Sequence, residues 1–170
     1  MCIRDRYQDE AAARKWHDGG YGWRRTGGKD TIQSSHSKKS VKMFGVLGED
    51  GYRIRVADAL NSDTFIDFLK WLLKTIPKFA LILDNAGYHT SNKVSKFIES
   101  TNGRIKLIFL PPHTPQLNPI EIQWRVLKRL LACRYFETLE ELKNAIEAIV
   151  QGEMKPVRLM PYLTDRYRPA

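Results

Sequence analysis

The sequence feature that most constrains the fold is a short apolar run, Phe79–Leu83, that ends at an aspartate, Asp84. A strand without alternating polarity is typical of a sheet whose two faces are both covered. A second apolar run covers residues 105–110, and a capped helix is predicted between the two runs at about residues 91–99. We therefore predict an α/β domain with a functional site at the carboxyl end of the first run.

The remaining patterns predict a hairpin and three more helices. Residues 42–48 and 52–57 form two strand-like runs joined by an Asp-Gly turn. Asn61 is a candidate N-cap for an amphipathic helix that continues toward Pro77. Two further helices are predicted at about residues 120–134 and 138–150. The Gly-, Ser- and Lys-rich stretch 16–40 is predicted to be irregular.

Composition indicates a single globular domain with a polyanionic partner. The chain has 170 residues, 42% of them hydrophobic, which suffices for a core without disulfides. Its two cysteines show no zinc-site spacing, and no apolar run approaches the ~18 residues of a membrane span. We expect a cytoplasmic protein. The formal net charge is +9, and residues 14–42 hold eight cations against two anions.

Three acidic residues stand at the ends of predicted elements: Asp9, Asp84 and Glu121. Each has an ordinary explanation alone, since an aspartate after a strand closes turns and a glutamate in a first helical turn interacts with the helix dipole. Together, two strand aspartates and a helix glutamate can converge on a pair of divalent cations. Oxygen ligands suit Mg²⁺ or Mn²⁺, and two such ions ~4 Å apart catalyse phosphodiester chemistry.

Three motifs, in a fixed order, resemble those of the mariner-type transposases, especially their bacterial insertion-sequence relatives. They are Tyr-Gln-Asp-Glu at residues 7–10, Leu-Ile-Leu-Asp-Asn-Ala-Gly-Tyr-His at 81–89 and Leu-Pro-Pro-His-Thr-Pro-Gln-Leu-Asn-Pro-Ile-Glu at 110–121. Between Asp84 and Glu121 lie 36 residues, a spacing that the superfamily shows between its second and third acidic ligands. The resemblance covers residues 7–131.

The resemblance implies a ribonuclease H-like fold, with a mixed five-stranded sheet flanked by helices, and a catalytic, metal-binding triad of Asp9, Asp84 and Glu121. Glu10 is then a flanking surface group or a neighbour of the ligands. The implied cofactor is a pair of Mg²⁺ or Mn²⁺ ions. The implied partners are transposon-end and target DNA, with a homodimer in the complete protein and a nucleoid-associated location in a bacterium.

The start of the chain departs from the family. Residues 1–7 carry three charges where an apolar strand leading into Asp9 is expected. The resemblance also implies an N-terminal helix-turn-helix region that recognises transposon ends, and we expect this chain to lack it. We therefore expect one catalytic domain over residues 1–170, with a truncated N terminus and a damaged first strand.

Several other residues have two interpretations. His89 contacts a substrate phosphate or a metal-bound water, or it packs on the turn before the helix. Asn85 orients a metal ligand or closes a turn. The prolines of residues 111–119 form a rigid loop that fixes where the Glu121 helix starts. The predicted DNA-binding cations are Arg24, Arg25, Lys38, Lys39, Arg125 and Lys128.

Two functions compete with transposition. A nuclease of the same fold would cut DNA without joining it, and the triad alone does not distinguish the two activities. The Pro-rich motif before Glu121 favours a transposase. An inactive DNA-binding remnant is the third hypothesis; the unusual N terminus favours it, and the intact triad argues against it.

Overall fold

The chain forms a five-stranded mixed sheet with helices on both faces. The computed structural model describes residues 4–15, 39–112, 114–132 and 134–156. The strands are β1 (Arg4–Arg14), β2 (Ser40–Gly48), β3 (Gly51–Ala57), β4 (Phe79–Leu83) and β5 (Ile105–Phe109). The helices are α1 (Ser62–Leu73), α2 (Asn92–Ser100), α3 (Ile120–Leu131) and α4 (Leu139–Ala148). A π-helical turn, Ile149–Glu153, follows α4.

The sheet has the order β3-β2-β1-β4-β5, so β1 lies at its centre. β1 runs antiparallel to β2 and parallel to β4, which pairs with β5 in parallel. This arrangement confirms the mixed sheet that the resemblance implied. The register aligns Tyr7 with Ile82. Because the two strands run in the same direction, continuing this register by two residues brings Asp9 beside Asp84, just beyond the carboxyl end of β4. The prediction that Asp9 stands at the end of its element was wrong, because β1 continues to Arg14 in its pairing with β2 and Asp9 lies in the middle of the strand.

The prediction of a damaged first strand was wrong. β1 is a continuous strand of 11 residues, and its charged residue Arg6 is buried. The guanidinium of Arg6 reaches the β2–β3 turn, where Nη2 lies 2.9 Å from Asp50 Oδ1. Gly48 leaves the room for it, because a β-carbon there would overlap the guanidinium. An ion pair thus replaces the apolar contacts expected in a central strand.

Two separate cores cover the faces of the sheet. Helices α3 and α4 pack on one face, where Trp124, Leu127 and Leu142 meet Met43 and Leu47. Helices α1 and α2 pack on the other, around the aromatic residues of α1 and β2. β4 is buried on both faces, as its apolar run predicted, whereas β5 is an edge strand with Ile108 and Phe109 each 39% exposed.

The helix boundaries follow capping residues more closely than apolar spacing. Asn61 forms a capping box with Thr64, and Ser91 and Thr138 cap α2 and α4 through their side chains. α3 ends at Leu131, three residues before the predicted end at 134, because Ala132 adopts an extended conformation. No helix within the described ranges is both long and apolar enough to cross a membrane.

The ion pair between Arg6 and Asp50 predicts a measurable loss of stability. Asp50→Ala leaves the buried Arg6 charge without this carboxylate, so we expect the free energy of unfolding to fall by about 3 kcal/mol, the low end for a broken buried pair because Asp50 is partly exposed. Asp58→Ala, a change of an exposed aspartate just after β3, is the matched control and should cost under ~0.5 kcal/mol. Urea denaturation measures both variants. Equal stability of the two would show that the pair contributes nothing to the position of β1.

Candidate active site

Three acidic side chains from three different elements line one open cleft. Asp9 comes from β1, Asp84 follows β4 directly, and Glu121 lies in the first turn of α3. The cleft has a volume of about 490 Å³, and the loop after β5, including Leu110 and Pro111, also lines it. The side chain of Asp84 is 57% exposed. The cleft is therefore accessible to a large substrate.

A buried asparagine fixes where α3 begins. Asn118 is 3% exposed, and its Nδ2 donates a hydrogen bond to the backbone oxygen of Gln8, at 2.8 Å. The backbone N–H of Glu121 donates to the backbone oxygen of Asn118, at 3.2 Å. The chain before Asn118 forms a 3₁₀ turn, Pro115–Leu117, within the predicted proline loop. Asn118 thus connects the start of α3 to the strand residue next to Asp9, a contact that sequence reasoning missed.

The turn after β4 holds Asp84 at the rim of the cleft. Oδ1 of Asp84 accepts a hydrogen bond from the backbone N–H of Ala86, at 3.1 Å. Asn85 Nδ2 donates to the backbone oxygen of Leu110, at 2.6 Å, which joins the ends of β4 and β5. Of the two interpretations of Asn85, this contact favours closure of the turn.

The Asp9 carboxylate is mostly buried among other carboxylates. Burial, which disfavours the charged form, raises its pKa from an ordinary 3.8 to about 7, and Glu121, Glu10 and Asp84 add to the rise. A backbone hydrogen bond at Glu10 acts in the opposite direction. Oδ2 of Asp9 also accepts a hydrogen bond from Trp124 Nε1, at 3.0 Å. A bound cation would relieve the repulsion that raises this pKa.

Glu10 lies on the opposite face of β1, because neighbouring residues of a strand alternate. Burial alone would raise its pKa, but hydrogen bonds from His89, Tyr88 and Gln8 outweigh burial and lower it. His89 Nε2 lies 3.0 Å from Oε1 of Glu10, and Gln8 Nε2 donates to the same oxygen at 2.9 Å. Burial and Glu10 raise the pKa of the Tyr88 hydroxyl. Glu10 is thus a neighbour of the cleft, and it does not line it.

The His89 ring is buried, with the carboxylates of Glu10 and Asp84 beside its two nitrogens. The ring packs against Phe65 and Tyr88, with centroids 4.5 Å and 4.4 Å away. Nδ1 lies 3.3 Å from Oδ1 of Asp84, while Nε2 faces Glu10. The ring therefore links two carboxylates, and its burial favours the packed interpretation over direct contact with substrate. Ligand atoms of Glu10, Asp84 and His89 all lie within 4.8 Å of one another, which is close enough for the three side chains to share a cation.

The predicted DNA-binding cations lie outside the cleft where the structure describes them. Arg125 and Lys128 are exposed on α3, and Lys39 is exposed just before β2. Some other residues named from the sequence lie outside the described residues, namely Arg24, Arg25, Lys38 and His113.

The family model described as DDE superfamily endonuclease matches residues 5–143, most of the chain. The chain belongs to the DDE superfamily of endonucleases. The uncharacterized protein y4pE/y4sA of Sinorhizobium fredii is 36% identical over 63 residues, which cover 36% of this chain and 43% of that protein.

Solved transposase structures share the fold. The Mos1 strand transfer complex matches with a TM-score of 0.68 and 17% identity, over 88% of this chain and 47% of that one. The catalytic domain of Mos1 mariner transposase matches with a TM-score of 0.63 and 15% identity, over 88% of this chain and 70% of that one. The chain thus spans about half the length of the Mos1 chain in the complex, and the ribonuclease H-like fold implied by the resemblance is confirmed.

The raised pKa of Asp9 predicts a pH-dependent effect of Asp9→Asn on stability. A folded-state pKa near 7 lies above the ordinary 3.8, so the folded protein retains a proton that the unfolded chain has released. The stability contributed by Asp9 is therefore full below pH 3.8 and is lost as the pH rises to about 7. In metal-free buffer, we expect Asp9→Asn to raise the melting temperature by a few degrees at pH 8 and by little at pH 4.

Asp58→Asn, at an exposed position, is the control and should show no such trend. An Asp9→Asn effect that is constant from pH 4 to pH 8 would contradict the raised pKa.

Proposed function

We propose that this chain is the catalytic core of a transposase that cuts DNA at the ends of a mobile element and joins the freed 3′-hydroxyls to target DNA. The observation that carries the proposal is the open cleft lined by Asp9, Asp84 and Glu121 at one edge of the sheet. The family match and the fold shared with Mos1 transposase support it.

The cleft suits divalent cations. Its three carboxylates supply the hard oxygen ligands that Mg²⁺ and Mn²⁺ prefer. Burial, and after it repulsion from Glu121, Glu10 and Asp84, raises the pKa of Asp9, and a bound cation would favour its charged form. Mos1 complexes have been solved with Mn and with Mg. We propose that Asp9, Asp84 and Glu121 hold two such ions, which would activate the attacking water or hydroxyl and stabilise the leaving oxygen.

The protein's own groups position the reacting strand. Asp84 is exposed whereas Asp9 and Glu121 are half-buried, so Asp84 marks the solvent side from which a phosphodiester would enter. Asp9 lies deeper, beside the buried indole of Trp124. Leu110, Pro111 and Pro112 line the cleft as well, and the two prolines limit the backbone freedom of this segment. The DNA end would lie between this segment and α3.

We propose that α3 extends the DNA-binding surface away from the cleft. Arg125 and Lys128 follow Glu121 by four and seven residues, so they lie on the same side of the helix and are exposed. Lys39, and the cations Arg24, Arg25 and Lys38, are proposed to bind phosphates as well. The homodimer expected for the complete protein stays a prediction.

Neutralising single ligands tests the catalytic proposal. Asp84→Asn and Glu121→Gln should each abolish Mg²⁺-dependent cleavage while DNA binding stays equal or tightens slightly, because each removes a metal ligand and a negative charge near phosphate. The assay uses a labelled duplex that carries an uncut element end, which reports cutting. A second labelled duplex with a free 3′-hydroxyl, mixed with a supercoiled plasmid, reports joining. Matched controls are Asp58→Asn and Glu99→Gln, both at exposed positions.

If a variant retains near-parental cleavage, the residue that it changes is not a catalytic residue. Cutting without any joined product would indicate a nuclease of the same fold instead of a transposase. Loss of DNA binding together with cleavage would show that the carboxylate acts on the fold.

Salt dependence tests the α3 surface. Each phosphate contact contributes about 0.9 to the slope of log affinity against log salt on duplex DNA, so Arg125→Ala with Lys128→Ala should lower the slope by roughly 1.8. Lys74→Ala with Lys96→Ala is the control, since these exposed lysines belong to the helices on the opposite face of the sheet. Fluorescence anisotropy from 50 to 300 mM salt measures both. An unchanged slope in the α3 variant would place the DNA on another surface.

A further inference from the structure

We propose that Trp124 is a positioning residue for the active site: its indole N–H holds one oxygen of Asp9 so that the other oxygen is directed to the cleft. The inference rests on the proposed function, because it gives the hydrogen bond a role in cation binding. The contact joins Trp124 Nε1 to Asp9 Oδ2 at 3.0 Å, across 115 positions of sequence.

The sheet provides a specific space for this indole. Asp9 on β1 pairs with Gly45 on β2, and paired residues present their side chains on the same face. Trp124 is 2% exposed, and its ring covers Gly45. A β-carbon at residue 45 would lie 2.5 Å from both Cη2 and Cζ2 of the ring. The glycine therefore lets the ring lie flat against β2 while its N–H reaches the adjacent strand.

The chemistry of indole suits this position better than that of a charged donor. Indole is a neutral donor that cannot accept a proton or bind a hard cation. It can fix one oxygen of Asp9 without neutralising the carboxylate. A lysine or arginine in the same place would form an ion pair with Asp9 and weaken its attraction for a cation. The indole thus orients Asp9 and leaves its charge available.

The same side chain also relates Asp9 to Glu121. Trp124 follows Glu121 by three residues on α3, and it packs in the core with Ile120 and Leu127. Its contact with β2 limits the rotation and the approach of α3 toward the sheet. One buried residue therefore sets the orientation of Asp9 and the distance of the Glu121 helix from it.

The first test separates the effect of the indole N–H from the effect of the aromatic ring. Trp124→Phe retains an aromatic ring in the core and removes the donor. Loss of a hydrogen bond to a metal-binding group typically weakens metal affinity by about 10- to 100-fold. We expect at least a ~10-fold rise in the Mn²⁺ dissociation constant of the full chain, measured by electron paramagnetic resonance of free Mn²⁺. The half-saturating Mn²⁺ concentration for DNA cleavage should rise by the same factor, with a smaller change in the rate at saturation.

Trp71→Phe, which changes a half-buried tryptophan of α1 on the other face of the sheet, is the matched control and should leave both values unchanged. Parental Mn²⁺ affinity in Trp124→Phe would overturn the proposal. If the parent chain binds Mn²⁺ no better than Asp84→Asn does, the cleft is not a cation site, and the proposed function is contradicted as well.

A spectroscopic test leaves Trp124 in place, so its result does not depend on how Trp124→Phe affects folding. In the ¹⁵N-labelled parent chain, the indole N–H resonance of Trp124 should shift on addition of Mg²⁺ and in Asp9→Asn, because its acceptor changes charge. The resonance of Trp71 should stay in place. A Trp124 resonance that moves in neither case would show that the indole only fills the core.

Discussion

The Asp9 carboxylate lies largely out of water in the central strand of the sheet, and this burial, together with the nearby Glu121, Glu10 and Asp84, raises its pKa to about 7. Placing like charges in such a position is unfavourable, and several contacts around it reduce the cost. Trp124 donates to Asp9, and three donors hold Glu10 on the opposite face of the strand. The negative charge that these contacts leave unbalanced faces the cleft, where a bound cation would neutralise it.

Three buried polar residues, Gln8, His89 and Asn118, lie next to this charge. His89 links Glu10 to Asp84, and Asn118 joins the start of α3 to the backbone of Gln8. Such contacts are costly to break in a buried setting, so they fix geometry more firmly than apolar packing does. Two cores on either side of the sheet supply the stability, and the polar contacts determine where the three carboxylates meet.

The sequence predicted the elements whose signal is local. The apolar run of β4 and the amphipathic pattern of α3 were enough to place Asp84 and Glu121 at the ends of their elements, and the motifs supplied the family. The predictions that failed concern residues whose partners are distant in the sequence. The charge of Arg6 argued against a central strand because its partner Asp50 belongs to the next hairpin. The links of Trp124 to Asp9 and of His89 to Glu10 cross 115 and 79 positions, and no local pattern indicates them.

The proposed chemistry depends on Asp9, Asp84 and Glu121 binding the divalent cations together. The most direct measurement is a crystal structure of the chain grown with Mn²⁺, with anomalous diffraction used to locate the metal. We expect anomalous density in the cleft, with oxygen ligands from all three carboxylates. Density confined to the alternative group of Glu10, Asp84 and His89, with none beside Asp9 and Glu121, would contradict it.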